Sequence, residues 1–239
     1  MSPDVVVVGG GAIGLASAWR LAQRGAAVTV VDPEPGSGAS GVAAGMLAPI
    51  TEARMGEEGL LRLNLASWSR WPGFVAEVER AAAGAGIGYR ADGTLVVALD
   101  ADDRVALDDL AARHRAMGLD VTPLRGREVR RMERGLAPGV RAGFLAASER
   151  SVDPPALVEA LGRAATAAGV GFVAAPVERI ATAPPGERVA GVVVADEAAS
   201  RRIDAPTVVL AAGCRSAGIA GLSEAARPPV RPVRGEILT

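Results

Sequence analysis

The order of apolar and polar residues predicts alternating strands and helices over the first thirty positions. Residues 5–8 are four valines, and an unbroken apolar run of this length is typical of a strand buried on both faces. Residues 12–24 then repeat apolar side chains at helical spacing, and residues 27–31 form a second apolar run. The pattern therefore predicts a strand–helix–strand unit, in which Gly25 ends the helix.

The rest of the chain alternates between the same two patterns less regularly. Apolar stripes predict helices at residues 57–83, 102–117, 127–133 and 154–168. Short apolar or alternating runs predict strands at residues 88–90, 94–99, 119–122, 170–174, 179–183, 189–195, 201–204 and 206–210. Pro72 is expected to kink or break the first of these helices, and Pro184-Pro185-Gly186 to form a turn in a three-stranded meander. Residues 141–153 are interpreted as a connection that returns to the amino-terminal unit.

A glycine-rich turn joins the first strand to the first helix. Gly9, Gly11 and Gly14 have the spacing G-x-G-x-x-G, and Asp32 ends the second strand 18 residues after Gly14. In dinucleotide-binding units the first glycine allows a tight turn, the second lets a diphosphate approach the backbone, and the third lets the helix pack on the strand. The helix start, at Ala12 and Ile13, directs N–H groups toward that anion.

Four features coincide around this turn: the preceding strand, the following helix, the second strand and the acid at its end. The alternative is a βαβ unit that binds no ligand, but the combined context favours a dinucleotide. The Asp32 carboxylate is suited to the adenosine ribose hydroxyls and would repel a 2′-phosphate, which argues against NADP. The turn alone leaves NAD and FAD open.

Composition restricts the chemistry. The net charge is −1 with no basic stripe, so no nucleic-acid partner is expected. Cys214 is the only cysteine, which excludes an internal disulfide and a cysteine metal cluster and fits a reducing compartment. His114 is the only histidine and is interpreted as a packing residue, so a serine–histidine site or a metal site has little support. A bound redox cofactor would supply the chemistry instead. With no signal peptide or membrane-spanning run, the expected location is cytoplasmic.

Residues 33–50 are nearly all small, which also suits a flexible linker. They are too apolar for a solvated linker, however, and small side chains suit a backbone that lies against a large flat ligand. Ser40 is expected to bond a phosphate oxygen, and residues 44–47 to line a ring system.

The motifs GGGAIG, an acid at the end of the second strand, and GAS…AAGMLAP together resemble the amino-terminal third of the FAD-dependent amine oxidases. That family includes D-amino-acid oxidase, sarcosine oxidase and glycine oxidase, and AAGMLAP is most similar to the glycine oxidases. The resemblance implies FAD as cofactor and a segment beneath the flavin formed by Ala43, Ala44, Gly45 and Met46. It further implies an adenine contact from the backbone of Val177 and a second cofactor contact at Ala211, Ala212 and Gly213.

The resemblance implies an α/β fold: a Rossmann-like FAD-binding domain with a mixed-sheet α+β substrate domain that is incomplete here. The expected division assigns residues 1–85 and 151–227 to the FAD-binding domain, and residues 86–150 and 228–239 to the substrate domain. The final PPVRPVRGEILT resembles the family's P-V-R-G strand, beyond which the family continues. The arginine and tyrosine that hold the substrate carboxylate are expected there, so no residue of this chain is assigned a catalytic role. Trp68, Trp71 and Cys214 are interpreted as buried packing residues.

The activity that the resemblance implies is oxidation of glycine or a similar small amino acid to an imine and then a keto acid. Molecular oxygen would be reduced to hydrogen peroxide, and the imine would be handed to thiazole synthase for thiamine biosynthesis. Two alternatives stay open: a D-amino-acid dehydrogenase that reduces a quinone, and a non-catalytic flavin-binding fragment. The sequence also leaves open the exact amine, a homo-oligomeric state and covalent attachment of FAD.

Overall fold

The computed structural model of the chain describes residues 2–183, 188–195 and 200–235. The helices in these ranges are α1 (Ala12–Gln23), α2 (Glu58–Trp68), α3 (Trp71–Ala81), α4 (Ala101–Ala116), α5 (Gly126–Met132) and α6 (Pro154–Ala167). The strands are β1 (Val5–Val8), β2 (Val28–Val31), β3 (Met46–Leu47), β4 (Thr94–Ala98), β5 (Thr122–Arg125), β6 (Ala142–Ala146), β7 (Arg150–Ser151), β8 (Gly171–Val173), β9 (Val177–Ala183), β10 (Arg188–Val194), β11 (Arg201–Asp204) and β12 (Thr207–Leu210).

The chain forms two compact units. The first comprises Met1–Ala44, Ala76–Ile87 and Asp153–Thr239, and the second comprises Gly45–Val75 and Gly88–Val152. The predicted turn at residues 184–186 and the last four residues of the predicted final strand lie outside the described residues. Within the described ranges, none of the helices combines the length and the apolar character needed to span a bilayer.

The first unit is built on a parallel sheet with strand order β12-β1-β2-β8. All four valines of β1 are buried, as the apolar run predicts for a strand with neighbours on both sides. Helices α1 and α6 pack together in this unit. The antiparallel meander β11-β10-β9 contributes Ile180, Val192 and Val194 to the same core as Val6 and Val8. The predicted α/β, Rossmann-like architecture is confirmed.

The second unit contains an antiparallel sheet with strand order β4-β6-β5 and the short pair β3-β7. Asp100 caps the start of helix α4, and its carboxylate accepts a hydrogen bond from the Asp103 N–H at 2.8 Å. The buried face of α4, Leu107, Ala111 and His114, lies toward the sheet core around Phe144.

Five sequence-based predictions differ from the structure. The strand predicted at residues 88–90 is only a single antiparallel bridge between Arg90 and Ser151. The single helix at residues 57–83 is two helices, because Pro72 lacks an N–H and lies in the first turn of α3, where that loss is tolerated. The strand predicted at residues 119–122 is β5, three residues later. Residues 141–153 contain β6, the central strand of the second unit's sheet, rather than only a connection. Residues 228–235 form no strand within the described chain.

The strand β6 escaped prediction because its sequence, AGFLA, consists mostly of small residues. Gly143 explains this composition. A Cβ atom there would lie 2.7 Å from Val129 Cγ2 and 2.8 Å from the Val96 carbonyl oxygen. The close approach of α5 and β4 therefore requires a residue that carries no strand signal.

Candidate functional site

Three strand ends of the first unit meet at the carboxyl edge of the parallel sheet. Val8 pairs with Val31 on one side and with Leu210 on the other, so Gly9, Asp32 and Ala211 follow these strands at one level. Strand β2 lies on one side of β1 and β12 on the other, which makes β1 the point where the strand order reverses. In open α/β sheets, ligands bind at the carboxyl edge at such a point.

The glycine turn is shaped by close backbone approach. Gly9 has a φ of +105°, and a Cβ atom there would lie 2.4 Å from the Ala211 carbonyl oxygen. A Cβ at Gly14 would lie 1.9 Å from the Gly9 carbonyl oxygen, so α1 can pack this close to the turn only with glycine. Gly10, which sequence reasoning missed, is equally confined, because its Cβ would lie 2.8 Å from Pro35 Cβ.

Ser40 closes over the start of α1. Its hydroxyl oxygen accepts a hydrogen bond from the Ala12 N–H at 3.0 Å, and a Cβ on Gly11 would lie 2.9 Å from the same oxygen. Among the described residues, the N–H groups of Gly11, Ile13 and Gly14 donate to no protein acceptor. The Ser40 hydroxyl proton and these N–H groups are together suited to an anion at a helix N-terminus.

Asp32 joins the glycine turn to the loop that follows β2. Its Oδ2 accepts a hydrogen bond from the Gly10 N–H at 2.7 Å, and its Oδ1 accepts one from the Glu34 N–H at 2.8 Å. An ionised carboxylate has about four acceptor positions. Asp32 therefore retains capacity for hydroxyl groups of a ligand while it holds the turn in place. A cavity of about 710 Å³, lined by Asp32, Pro35, Val158 and Phe172 among others, opens beside it.

The predicted flavin segment exposes apolar side chains. Val42 is 69% exposed and Met46 is 56% exposed, and Ala43 and Ala44 are also exposed. Ile13, at the start of α1, is 74% exposed. Exposed apolar side chains in the unit that also carries the N–H-rich turn, among them Ile13 and Val42, are typical of a surface that binds a ligand with both anionic and aromatic parts.

Gly45 and Met46 belong to the second unit, whereas the remaining predicted cofactor residues lie in the first. Ala211 and Ala212 are partly buried after β12, and Gly213 is exposed with a φ of +54°. The Ala211 N–H donates to the Val8 carbonyl oxygen at 2.8 Å, which fixes this loop to the turn. Val177 is the first residue of β9 and pairs with Val194. Only three residues, 174–176, separate the end of β8, which pairs with β2, from Val177.

Two predictions about packing residues are wrong. Cys214 is exposed, because it lies in a short 3₁₀ turn after β12 rather than in the strand. Trp68 and Trp71 are half-buried and line a cavity of about 230 Å³ in the second unit, together with Met46, Leu47, Ala48, Pro49, Glu52, Asn64 and Ser67. The fully buried tryptophan is Trp19.

His114 packs in the second unit as predicted. It is 0% exposed and meets the Phe144 ring edge-on at 5.8 Å, and neither ring nitrogen has a hydrogen-bond partner among the described residues. Burial lowers the pKa of His114 from its ordinary value of 6.5, while the backbone of Ala53 and the Glu149 carboxylate act against that shift.

Glu149 is a second buried ionisable residue, and sequence reasoning missed it. Its side chain is 0% exposed, and it accepts hydrogen bonds from residues almost one hundred positions earlier. A contact between such distant positions leaves no local sequence pattern. In the sequence Ser148-Glu149-Arg150, a glutamate between two polar residues has the appearance of an ordinary surface position.

The residues of the first unit fit an adenine dinucleotide. The free N–H groups and Ser40 suit a diphosphate, Asp32 suits a ribose, and the glycine turn would be closed to a diphosphate by a side chain at position 11. These contacts involve the diphosphate and the adenosine ribose, which NAD and FAD have in common.

Comparisons with known proteins identify the ligand class. The sequence family described as DAO, FAD dependent oxidoreductase, matches residues 4–239. A glycine oxidase from Geobacillus kaustophilus is 35% identical over 171 residues, which are 70% of this chain and 44% of that protein. A bifunctional ThiO/ThiG protein from Trichormus variabilis is 30% identical over 172 residues, covering 71% of this chain and 25% of that protein.

Solved structures agree with these sequence relatives. The crystal structure of the Geobacillus kaustophilus glycine oxidase has a TM-score of 0.79 at 30% identity and covers 92% of this chain and 59% of that chain. The glycine oxidase from Bacillus cereus has a TM-score of 0.81 at 26% identity, covering 91% and 57% respectively. This chain thus spans well under two thirds of the length of these relatives. It belongs to the DAO family of FAD-dependent oxidoreductases, whose cofactor is FAD.

Proposed function

We propose that the protein is an FAD-dependent oxidase that deaminates glycine or a similarly small amino acid. In the balanced reaction, the amino acid, oxygen and water give a keto acid, ammonia and hydrogen peroxide. The proposal covers the whole protein, of which this chain supplies the part that holds the cofactor. Its further components, as implied by the sequence resemblance, are delivery of the imine to thiazole formation and a cytoplasmic location.

The observation that carries the proposal is the exposed apolar segment in the stretch that follows β2. Val42 and Met46 are exposed although apolar, and their sequence context, AAGMLAP, is the one that resembles glycine oxidases. The relatives that are 30–35% identical to this chain are named as glycine oxidase or ThiO/ThiG. This agreement supports a small amine as substrate.

The residues of this chain would bind and orient rather than transfer protons. The N–H groups of Gly11, Ile13 and Gly14 and the Ser40 hydroxyl would hold the diphosphate, and Asp32 the adenosine ribose. The segment with Ala43, Ala44, Gly45 and Met46 would lie beneath the ring system and exclude water from it. FAD, when bound, supplies the redox chemistry by accepting a hydride equivalent from the α-carbon of the amine.

The test is anaerobic reduction of the flavin in the protein expressed from its complete gene. Glycine, sarcosine and D-alanine are added in turn, and bleaching of the visible flavin absorption is recorded. We expect at least one of the three to bleach the flavin, and air to restore the colour with one hydrogen peroxide per amine oxidised. D-Lactate, which lacks the amine, is the matched control.

The rival functions predict different results. Bleaching by an amine without peroxide in air, but with reduction of an added quinone, would replace the oxidase by a dehydrogenase. A yellow protein that no amine bleaches would rule out amine oxidation and leave a flavin-binding protein. A colourless protein that binds NAD would contradict the cofactor assignment as well.

A further inference from the structure

In the second unit, one buried carboxylate holds the segment that begins at Met46. Glu149 is 0% exposed, and among the described residues no arginine forms an ion pair with it. Such a charge is stable in a protein interior only when hydrogen-bond donors surround it. The position of those donors therefore shows what the carboxylate is placed to hold.

Among the described residues, the donors to the Glu149 carboxylate all come from one turn, at Ile50 and Thr51. Its Oε1 accepts from the Ile50 N–H at 2.8 Å and from the Thr51 N–H at 2.6 Å. The Thr51 hydroxyl lies 3.1 Å from Oε1 and 2.9 Å from Oε2. Two adjacent backbone N–H groups thus converge on a single oxygen, which fixes the direction of the backbone as it leaves Met46 and Leu47.

The residues beside Glu149 hold the same segment and the facing helix. Strand β7 pairs Ser151 with Met46 and Arg150 with Leu47. On the other side, the Ser148 carbonyl oxygen accepts from the Trp68 indole N–H at 3.1 Å, and the Arg150 guanidinium lies 3.9 Å from the centre of the Trp68 ring. Residues 148–151 therefore connect both walls of the 230 Å³ cavity lined by Met46 and Trp68.

We propose that Glu149 is a positioning residue that sets the backbone of residues 46–51, and with it the place of Met46. The inference rests on the proposed function in one respect, since it takes Met46 to lie against the flavin ring. Glu149 acts through Ile50 and Thr51. One oxygen of its carboxylate accepts hydrogen bonds from two backbone N–H groups at once. A neutral side-chain oxygen is a weaker acceptor for such a pair.

Three substitutions vary this contact in steps. Glu149→Ala removes every acceptor and leaves two N–H groups unpaired. Glu149→Gln keeps the shape and one carbonyl oxygen but removes the charge. Thr51→Val removes only the hydroxyl and leaves both N–H bonds to Glu149 in place. The matched control is Glu128→Ala, because Glu128 also accepts a backbone N–H bond, from Arg125 at 2.7 Å, but caps α5 elsewhere in the unit.

The experiment measures amide hydrogen exchange across residues 46–53 in the FAD-loaded protein, together with the midpoint potential and visible spectrum of the flavin. We expect exchange to accelerate by about tenfold in Glu149→Ala and by less in Glu149→Gln and Thr51→Val. The flavin potential and spectrum should shift in the same order. Glu128→Ala should lower the melting temperature without changing exchange at residues 46–53 or the potential.

The outcomes separate this proposal from the proposed function. Unchanged exchange at residues 46–53 in the three variants would overturn the role of Glu149, even if amines reduce the flavin. If Glu149→Ala does not fold, Glu149→Gln and Thr51→Val decide the question alone, and wild-type exchange in both would overturn it. Failure of every amine to reduce the wild-type flavin would overturn the proposed function but would not alter the exchange result.

Discussion

Gly11 illustrates how a single hydrogen atom in place of a side chain can determine cofactor retention. A Cβ atom there would lie 2.9 Å from the Ser40 hydroxyl oxygen, the atom that accepts the Ala12 N–H. A larger side chain would displace Ser40 and occupy the approach of a diphosphate to the free N–H groups of the turn. We expect Gly11→Val to purify without FAD, as measured by the ratio of flavin to protein absorption.

The matched control for this substitution is Gly139→Val. Gly139 is exposed, and a Cβ atom there would meet nothing within 4 Å. This variant should retain flavin at the wild-type ratio. If Gly11→Val purified equally yellow, the diphosphate could not lie at this turn, and the assignment of the site to the carboxyl edge of β1 would be wrong.

Helix α4 places the only histidine of the chain where its charged form is unfavourable. His114 is fully buried without a hydrogen-bond partner among the described residues, and burial lowers its pKa from 6.5. Below pH 6.5, His114 binds a proton in the unfolded chain but stays neutral in the folded chain until the pH approaches its lowered pKa. Stability contributed by the neutral histidine is therefore complete above pH 6.5 and is lost as the pH falls toward the lowered pKa.

The measurement is the free energy of unfolding by denaturant at a series of pH values from about 7.5 to 5, in wild type and in His114→Leu. Below pH 6.5 the wild-type value should fall more steeply, by at most about 1.4 kcal/mol per pH unit. Because the carboxylates titrate in both proteins, the difference between the curves isolates His114. Parallel curves would mean that the histidine is accessible to protons in the folded state.

The elements of the first unit were predictable from the sequence because their apolar residues follow the spacing of a strand or a helix without interruption. Four consecutive valines predict β1, and Asp153 followed by proline predicts the start of α6, where the Asp153 carboxylate accepts from the Ala156 N–H at 3.0 Å. The second unit was less predictable. Its central strand β6, AGFLA, consists mostly of small residues and so shows no clear apolar period.

The candidate site divides in the same way. The residues that a known motif fixes by spacing, Gly9, Gly14 and Asp32, could be identified together with a physical role. Residues whose role depends on distant partners could not: Gly10 is confined by Pro35, and Glu149 by a turn 98 and 99 positions away. Cys214 shows the reverse error, since it already lies at the surface four residues beyond the end of β12.

At the scale of the whole molecule, the cofactor site predicts which parts of the chain will respond to FAD. Residues 9–14, 32–44 and 211–213 are far apart in sequence but follow strand ends that meet at one sheet edge. A ligand that binds there slows amide exchange locally, because exchange then requires its release or opening of a stabilised region. We expect FAD to slow exchange by about tenfold or more in these three segments together, since one ligand contacts all of them.

The antiparallel sheet β4-β6-β5 of the second unit is the internal control, because none of the predicted cofactor residues lies in it. Its exchange should change less than that of the three segments. NAD at the same concentration tests the redox end of the ligand: it shares the diphosphate and the adenosine ribose, so weak protection limited to residues 9–14 and 32 is consistent with the site. Protection of all three segments by NAD as strongly as by FAD would contradict flavin selectivity, because it would leave residues 42–44 and 211–213 with no preference for the flavin ring.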